Sequence, residues 1–161
     1  MEYFKISCEF ERHETRANLK AEIQNLIENC LAATNSAYAP YSHFYVGAAV
    51  LLENGIIIKG NNQENAAFPS GLCAERVAIY YVGANHPGVA IKAIAITARS
   101  ENYTQGTPVT PCGACRQSLL EYELNQQSDI PVHMVSPSGE IIVSKSVKQL
   151  LPLYFEHSGK F

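Results

Sequence analysis

The chain has 161 residues, of which 47% are hydrophobic and only 17% charged, and its formal net charge is −3. This length fits one domain with a substantial core, the composition excludes a disordered chain, and the scarcity of charge suggests a buried oligomer face. The scattered basic residues give no stripe for nucleic-acid binding, and no apolar run approaches the roughly 18 residues that span a membrane.

The first part of the chain predicts a helix followed by a hairpin. Residues 1–14 show no clear period and are expected to form an N-terminal extension without chemistry. From Thr15 to Ala37, apolar residues recur every three or four positions, which predicts an amphipathic helix. Asn54 followed by Gly55 predicts the turn of a hairpin between two strands, Val46–Leu52 and Ile56–Lys59.

The remaining elements alternate between helices and strands. A helix is predicted over Cys73–Val82, ended by Gly83 because glycine favours helix C-termini. The apolar run Val89–Ala98 predicts a strand that is covered on both faces. The later elements are a helix at Cys112–Glu123 after Pro111, strands at Pro131–Val135 and Glu140–Val143, and a short helix at Ser146–Leu151. This order predicts a single α/β domain over residues 1–161, a three-layer α/β/α sandwich with a central mixed five-stranded sheet.

Three of the five cysteines occupy the predicted starts of two helices: Cys73 in one, and Cys112 with Cys115 in the other. Residues 1–5 lack the order of a secretory signal, so we expect a cytoplasmic protein, in which this spacing indicates metal or redox chemistry. A helix N-terminus favours thiolates, which bind zinc. Structural zinc sites have four protein ligands, whereas catalytic sites have three and an open position. Three candidate ligands therefore predict a catalytic Zn²⁺ site.

Two residues that follow Cys73 closely in the sequence, Glu75 and Arg76, have predicted roles at this zinc site. Glu75, two positions further on, is placed to face the open position and to act first as a base and then as an acid. Three thiolates would leave the zinc site with a net charge of −1, which weakens the activation of bound water. The two helix N-termini offset that charge, as does Arg76 if it donates hydrogen bonds to a ligand sulfur.

Five motifs, in the same order from about Leu19 to Phe155, resemble those of the homotetrameric zinc-dependent cytidine deaminase family. They are Pro40–Phe44 with Val46–Ala49, Gly60–Ala66, Cys73–Arg76, Pro111–Gln117 and Leu150–Pro152. The resemblance implies a cytidine deaminase-like fold, a zinc cofactor, and a homotetramer that shares its active sites. It also implies hydrolysis of cytidine and 2′-deoxycytidine to uridine and 2′-deoxyuridine with release of ammonia, as in pyrimidine salvage. In this family a zinc-bound hydroxide attacks C4 of cytosine, while the glutamate at the position of Glu75 shuttles protons.

The resemblance also assigns substrate contacts. Asn62 and Glu64 match the residues that hold the ribose hydroxyl, for which amide and carboxylate acceptors are suited. The other implied contacts are a ring that stacks on the base at Phe44, backbone groups at Ala74 and Thr110, and Phe155 contributed by a neighbouring subunit. The site would then be complete only in the oligomer.

Several alternatives stay open at this point. Phe68 stands where many members have tyrosine, and Gln63 replaces a usual apolar residue, so the fine substrate preference is open. A deaminase of the blasticidin S type, a nucleic-acid-editing deaminase, and an inactive binding protein with a structural zinc are the competing functions. Asn62 and Glu64 could instead be loop caps, and aromatic residues such as Phe44 and Phe155 most often belong to the core.

Overall fold

The computed structural model describes residues 1–102 and 106–157, which form three α-helices and six strands. The helices are α1 (Ala21–Ala33), α2 (Ala74–Asn85) and α3 (Gly113–Gln126). The strands are β1 (Phe10–His13), β2 (Phe44–Leu52), β3 (Ile57–Asn61), β4 (Ile91–Ser100), β5 (Val132–Val135) and β6 (Ile141–Ser144). Within these ranges, no helix has the length and hydrophobicity needed to cross a bilayer.

The strands form one mixed sheet in the order β1-β6-β5-β4-β2-β3, in which only the β4–β5 pair is parallel. The prediction of five strands is wrong. The sixth strand is β1, which lies within the predicted extension and pairs with β6, Phe10 opposite Ser144. Three of the four residues of β1 are exposed, so this edge strand lacks the apolar alternation that reveals a half-buried strand.

Helices cover both faces of the sheet. Side chains alternate between the faces of a strand, and Ala48, Val50 and Leu52 of β2 pack in one core with α2 and α3. Ala49 and Leu51 point the other way and pack in a second core with α1. The predicted α/β class is confirmed, and the metal-ligand candidates lie on the α2 and α3 side.

Three predicted helix boundaries need correction. The helix predicted over Thr15–Ala37 is α-helical only in α1, with 3₁₀ turns at Arg16–Asn18 and Thr34–Ser36. The last predicted helix is a 3₁₀ turn at Val147–Leu150. Helix α2 continues through Gly83, where a Cβ atom would collide with the Tyr122 hydroxyl of α3. Gly83 therefore allows two helices to approach and does not end one.

A buried carboxylate joins α3 to the chain that follows it. Glu123 is fully buried, and it accepts hydrogen bonds from the backbone N–H groups of Ile130 (2.8 Å), Val147 (2.7 Å) and Lys148 (3.1 Å). The Ser146 hydroxyl donates a fourth bond at 2.6 Å. Ile130 lies just before β5, and the other three donors lie at the start of the 3₁₀ turn Val147–Leu150. The Glu123 side chain therefore anchors two loops.

We expect Glu123→Gln to lower the free energy of unfolding by about 2–4 kcal/mol, because hydrogen bonds to a charged acceptor contribute about 1.5–3 kcal/mol each and the amide presents a donor to other donors. Urea unfolding of the zinc-loaded protein, with the same free zinc concentration for every variant, measures this change. Glu121→Gln is the matched control, since Glu121 is an exposed residue of the same helix. Equal stability of the two variants would contradict the anchoring role of Glu123.

Candidate active site

A cavity of about 670 Å³ opens where the starts of β2, α2 and α3 approach one another. Its wall combines the turn before β2, the loop between β3 and α2, and the residues that precede α3. Eight residues predicted from the sequence line this cavity: Phe44, Asn62, Glu64, Cys73, Glu75, Arg76, Thr110 and Cys112. A volume of this order is typical of a pocket for a small organic molecule.

Three thiols meet at one side of the cavity. Cys73 is the N-cap of α2, Cys112 is the N-cap of α3, and Cys115 lies in the first turn of α3. Their sulfur atoms lie within 4.8 Å of one another, and the Sγ atoms of Cys73 and Cys112 are 4.0 Å apart. Sulfur ligands of a tetrahedral zinc ion, bound at 2.3 Å, are about 3.8 Å apart. The cluster therefore fits zinc.

The ligand count distinguishes a catalytic from a structural metal site. Among the residues that the structure describes, no fourth histidine, cysteine or carboxylate belongs to the Cys73, Cys112 and Cys115 cluster. A zinc ion held there would keep one position open toward water or substrate. The two remaining cysteines, Cys8 and Cys30, lie outside the cluster, and burial raises the pKa of the Cys30 thiol.

Hydrogen bonding within the cluster favours an ionised thiol. The Cys115 thiol, together with Arg76 and Cys112, lowers the pKa of Cys73 to about 5. The same contact with Cys73, added to burial, raises the pKa of Cys115. Nη2 of Arg76 lies 3.8 Å from Cys73 Sγ, so this guanidinium places positive charge beside the sulfur. The cluster thus has the cationic neighbour that a trithiolate site needs.

Glu75 is the second residue of α2 and places a carboxyl group in the cavity wall while being only 5% exposed. Burial is the largest cause that raises the pKa of this carboxyl, and the nearby Cys73 adds to the rise. Close packing fixes the helix that carries it, since a Cβ atom at Gly60 would lie 2.7 Å from the backbone nitrogen of Ala78. A buried carboxyl beside a thiolate cluster can hold and release a proton.

Asn62 and Glu64 make structural hydrogen bonds and also line the cavity. Asn62 accepts from the Val46 N–H (2.8 Å) and donates to the Phe44 carbonyl (2.9 Å). Glu64 accepts from the backbone N–H groups of Tyr41 (3.0 Å) and Ser42 (3.3 Å). Burial opposes the ionisation of Glu64, but these bonds and one from the Ser42 hydroxyl hold its pKa below the usual value. Both residues therefore combine loop stabilisation with a position at the pocket.

Three predicted site residues lie outside the cavity wall: Cys115, which is the fully buried member of the thiol cluster, Ala74 and Phe155. Ala74 is fully buried between Cys73 and Glu75. Phe155 is 75% exposed, and its carbonyl accepts a hydrogen bond of 2.9 Å from Gln117 Nε2. In the single chain, the ring of Phe155 therefore presents apolar surface to the outside.

The cavity wall also includes Ser42, Leu72 and Val109, which no sequence signal marks individually as site residues. They lie in irregular segments, where neither periodicity nor spacing carries a signal. At the rim, the rings of Tyr41 and Phe68 meet edge to face with centroids 5.9 Å apart. Only proximity to a recognised motif could have indicated such residues, as it does for Ser42 within Pro40–Phe44.

Three thiols at two helix starts, without a fourth protein ligand in the described part of the chain, lie beside a buried carboxyl. This arrangement is typical of thiolate zinc sites in hydrolytic enzymes. Residues 20–128 match the family model described as the cytidine and deoxycytidylate deaminase zinc-binding region. Cytidine deaminase from Sporosarcina psychrophila is 39% identical over 132 residues, 81% of this chain and 89% of that protein. The one from Halalkalibacterium halodurans is 40% identical over 131 residues, 80% of this chain and 90% of that protein.

Solved structures show the same similarity. The crystal structure of cytidine deaminase from Burkholderia pseudomallei has 36% sequence identity and a TM-score of 0.72, covering 82% of this chain and 98% of that chain. Cytidine deaminase from Mycobacterium tuberculosis has 30% identity and a TM-score of 0.66, covering 86% and 100%. The chain belongs to the cytidine and deoxycytidylate deaminase family, whose members bind zinc.

Proposed function

We propose that the protein is a zinc-dependent hydrolase that converts cytidine and 2′-deoxycytidine to uridine and 2′-deoxyuridine and releases ammonia, as in pyrimidine salvage. One observation carries this proposal: in a chain of this family, a cluster of three thiols, two of which line the pocket, lies beside the buried Glu75 carboxyl. The pocket volume of about 670 Å³ suits a free nucleoside. We also infer a cytoplasmic location, because all five cysteines are unpaired and such thiols persist in a reducing compartment.

Cys73, Cys112 and Cys115 would hold the zinc ion, and a bound zinc ion supplies Lewis-acid activation of a water molecule. Glu75 accepts one proton from the attacking water and delivers it to N3 of the cytosine ring. It then passes the second proton of that water to the exocyclic amino group, which leaves from C4 as ammonia while the oxygen stays on C4. A carboxyl whose pKa is raised by burial can perform both transfers near neutral pH.

The remaining pocket residues would orient the nucleoside. Phe44 offers an aromatic face for the base, and the Asn62 and Glu64 side chains offer polar atoms for the ribose hydroxyls. Thr110 lies in the same wall, and Ala74 is next to Glu75, so their backbone groups would contact the amino group and the pyrimidine edge. These roles follow from position in one cavity and from the family resemblance.

We further propose a homotetramer in which Phe155 of each chain enters a neighbouring site. The proposal is supported by large exposed apolar side chains near the pocket and at the C-terminal end. Phe68 and Phe155 are each 75% exposed, and Leu153 is 79% exposed. Exposed apolar surface of this kind marks interaction sites.

We expect light scattering to give a mass four times the 17.7 kDa chain. We also expect Phe155→Ala to raise KM for cytidine about tenfold, because the tetramer would bury this ring and truncating such an aromatic anchor costs more than about 1 kcal/mol. Phe4→Ala is the matched control, since Phe4 is 81% exposed and lies outside the family resemblance. A fully active monomer, or an unchanged KM in Phe155→Ala, would contradict the shared site.

The substrate proposal is tested by ammonia release from zinc-loaded protein. The panel contains cytidine, deoxycytidine, cytosine, adenosine, blasticidin S and a cytosine-containing single-stranded RNA. Turnover of the two cytosine nucleosides alone would support the proposal and point to Asn62 and Glu64 as the sugar contacts. Activity only on blasticidin S or only on RNA would overturn the substrate assignment while keeping the zinc site.

A further inference from the structure

The guanidinium of Arg116 joins the pocket to the C-terminal end of the described chain. Arg116 follows Cys115 in α3, and three of its nitrogen atoms reach different acceptors. Nε donates to the Pro111 carbonyl at 2.8 Å, and Nη1 donates to the Leu150 carbonyl at 2.8 Å. Nη2 lies at 3.5 Å from the Thr110 hydroxyl oxygen. One planar group thus contacts two segments that are about 40 residues apart in sequence.

These acceptors belong to two functional segments. Residues 109–112, the pocket loop, contain Thr110 and end at the metal-ligand candidate Cys112, and both residues line the cavity. Leu150 ends the 3₁₀ turn after which residues 151–157, the C-terminal arm, begin. Gln117, the next residue of α3, donates to the Phe155 carbonyl of this arm at 2.9 Å. Two adjacent side chains of α3 therefore hold the arm, Arg116 at Leu150, the residue directly before it, and Gln117 at Phe155.

We propose that Arg116 is a positioning residue that fixes the pocket loop and the C-terminal arm to the same helix start, with Gln117 as its partner on the arm. The inference rests on the proposed function, in which Phe155 completes a neighbouring site. Through Arg116, the chain aligns its own Thr110 and Cys112 with the arm that it offers to the next subunit. Small displacements of such groups weaken substrate binding, because they move contacts out of hydrogen-bond and stacking geometry.

The chemistry of arginine is required for this arrangement. A guanidinium presents donors in a fixed plane and can bond to several acceptors at once, whereas a lysine ammonium is a compact charge on a flexible stem. Arg116→Lys therefore keeps the positive charge but cannot keep all three contacts. Gln117→Met keeps the side-chain volume and removes the donor to the arm only.

The test compares Arg116→Lys and Gln117→Met with Arg12→Lys, whose arginine lies on β1 and pairs with Glu140 at 2.7 Å. We expect Arg116→Lys to raise KM for cytidine about tenfold and to change kcat less than about threefold, with unchanged zinc content. Gln117→Met gives a smaller rise in KM. Amide hydrogen exchange over residues 147–157 becomes faster in both variants and stays unchanged in Arg12→Lys.

A role confined to stability would lower the melting temperature without moving KM, and that result would overturn the proposal. So would unchanged exchange in Arg116→Lys. If Arg116→Lys does not fold, Arg116→Gln replaces it and is read by the same criteria. If the wild-type protein turns over no cytosine nucleoside, the proposed function fails, and hydrogen exchange still decides whether Arg116 holds the arm.

Discussion

Glu75→Gln lowers kcat for cytidine by about 10³-fold, within the range of 10²–10⁴ typical of general acid–base catalysis. The amide has nearly the shape of the carboxyl group, so α2 and the pocket wall stay in place. It cannot take a proton from water or return one to N3 and to the leaving amino group. Zinc content stays at the wild-type level, because Glu75 is not among the clustered ligand atoms of the described residues. Steady-state kinetics and metal analysis of the same preparation measure both effects.

Glu121→Gln is the control for this substitution, because it makes the same chemical change on the exposed surface of α3. Its rate should equal that of the wild type. A Glu75→Gln variant with a near-wild-type rate would remove Glu75 from the mechanism. A variant that loses its zinc would instead identify the Glu75 carboxylate as a metal ligand.

Cys115→Ser lowers zinc affinity by about 10²-fold or more, since even residues that only support metal ligands change affinity 10–100-fold. Cys115 is fully buried where α3 meets the Cys73 sulfur, so no other thiol of the cluster can take its place. A serine hydroxyl stays protonated and is a poor zinc ligand. Turnover falls with the zinc content, and the protein also loses stability because bound metal favours the folded state.

Cys8→Ser provides the matched control, because Cys8 is a half-buried cysteine outside the cluster. Zinc per chain, turnover and melting temperature should all match the wild type. Full zinc content in Cys115→Ser would contradict the three-ligand site. X-ray absorption that shows four protein ligands in the wild type would favour the structural zinc of an inactive binding protein.

The clustering of the candidate metal ligands and Glu75 was predictable because its sequence signals are local. Cys73 and Cys112 stand at helix N-termini, and the two-residue gap to Cys115 lets one helix start supply two sulfurs. Glu75 follows Cys73 within the same turn. Within one helix start, the separation of two residues in the sequence determines their distance in the structure. Only the approach of the two helix starts depends on the rest of the fold.

The features that escaped prediction depend on contacts distant in sequence. Strand β1 forms because β6 offers it an edge, and its own residues show no alternation. Gly83 is typical of a helix end, but its role depends on Tyr122 of another helix. Glu123 gives no motif, since its four donors come from segments 7–25 residues further along the chain. In all three cases the role of the residue or strand is determined by packing partners that are distant in the sequence.

The most direct test of hydrolytic deamination uses zinc-loaded protein and cytidine in water enriched with oxygen-18. Ammonia and uridine are measured together, and the uridine is analysed by mass spectrometry. Hydrolytic deamination predicts equal amounts of both products, with one labelled oxygen in each uridine base, because water supplies the oxygen that replaces the amino group at C4. Absence of ammonia, or uridine without the label, would contradict it.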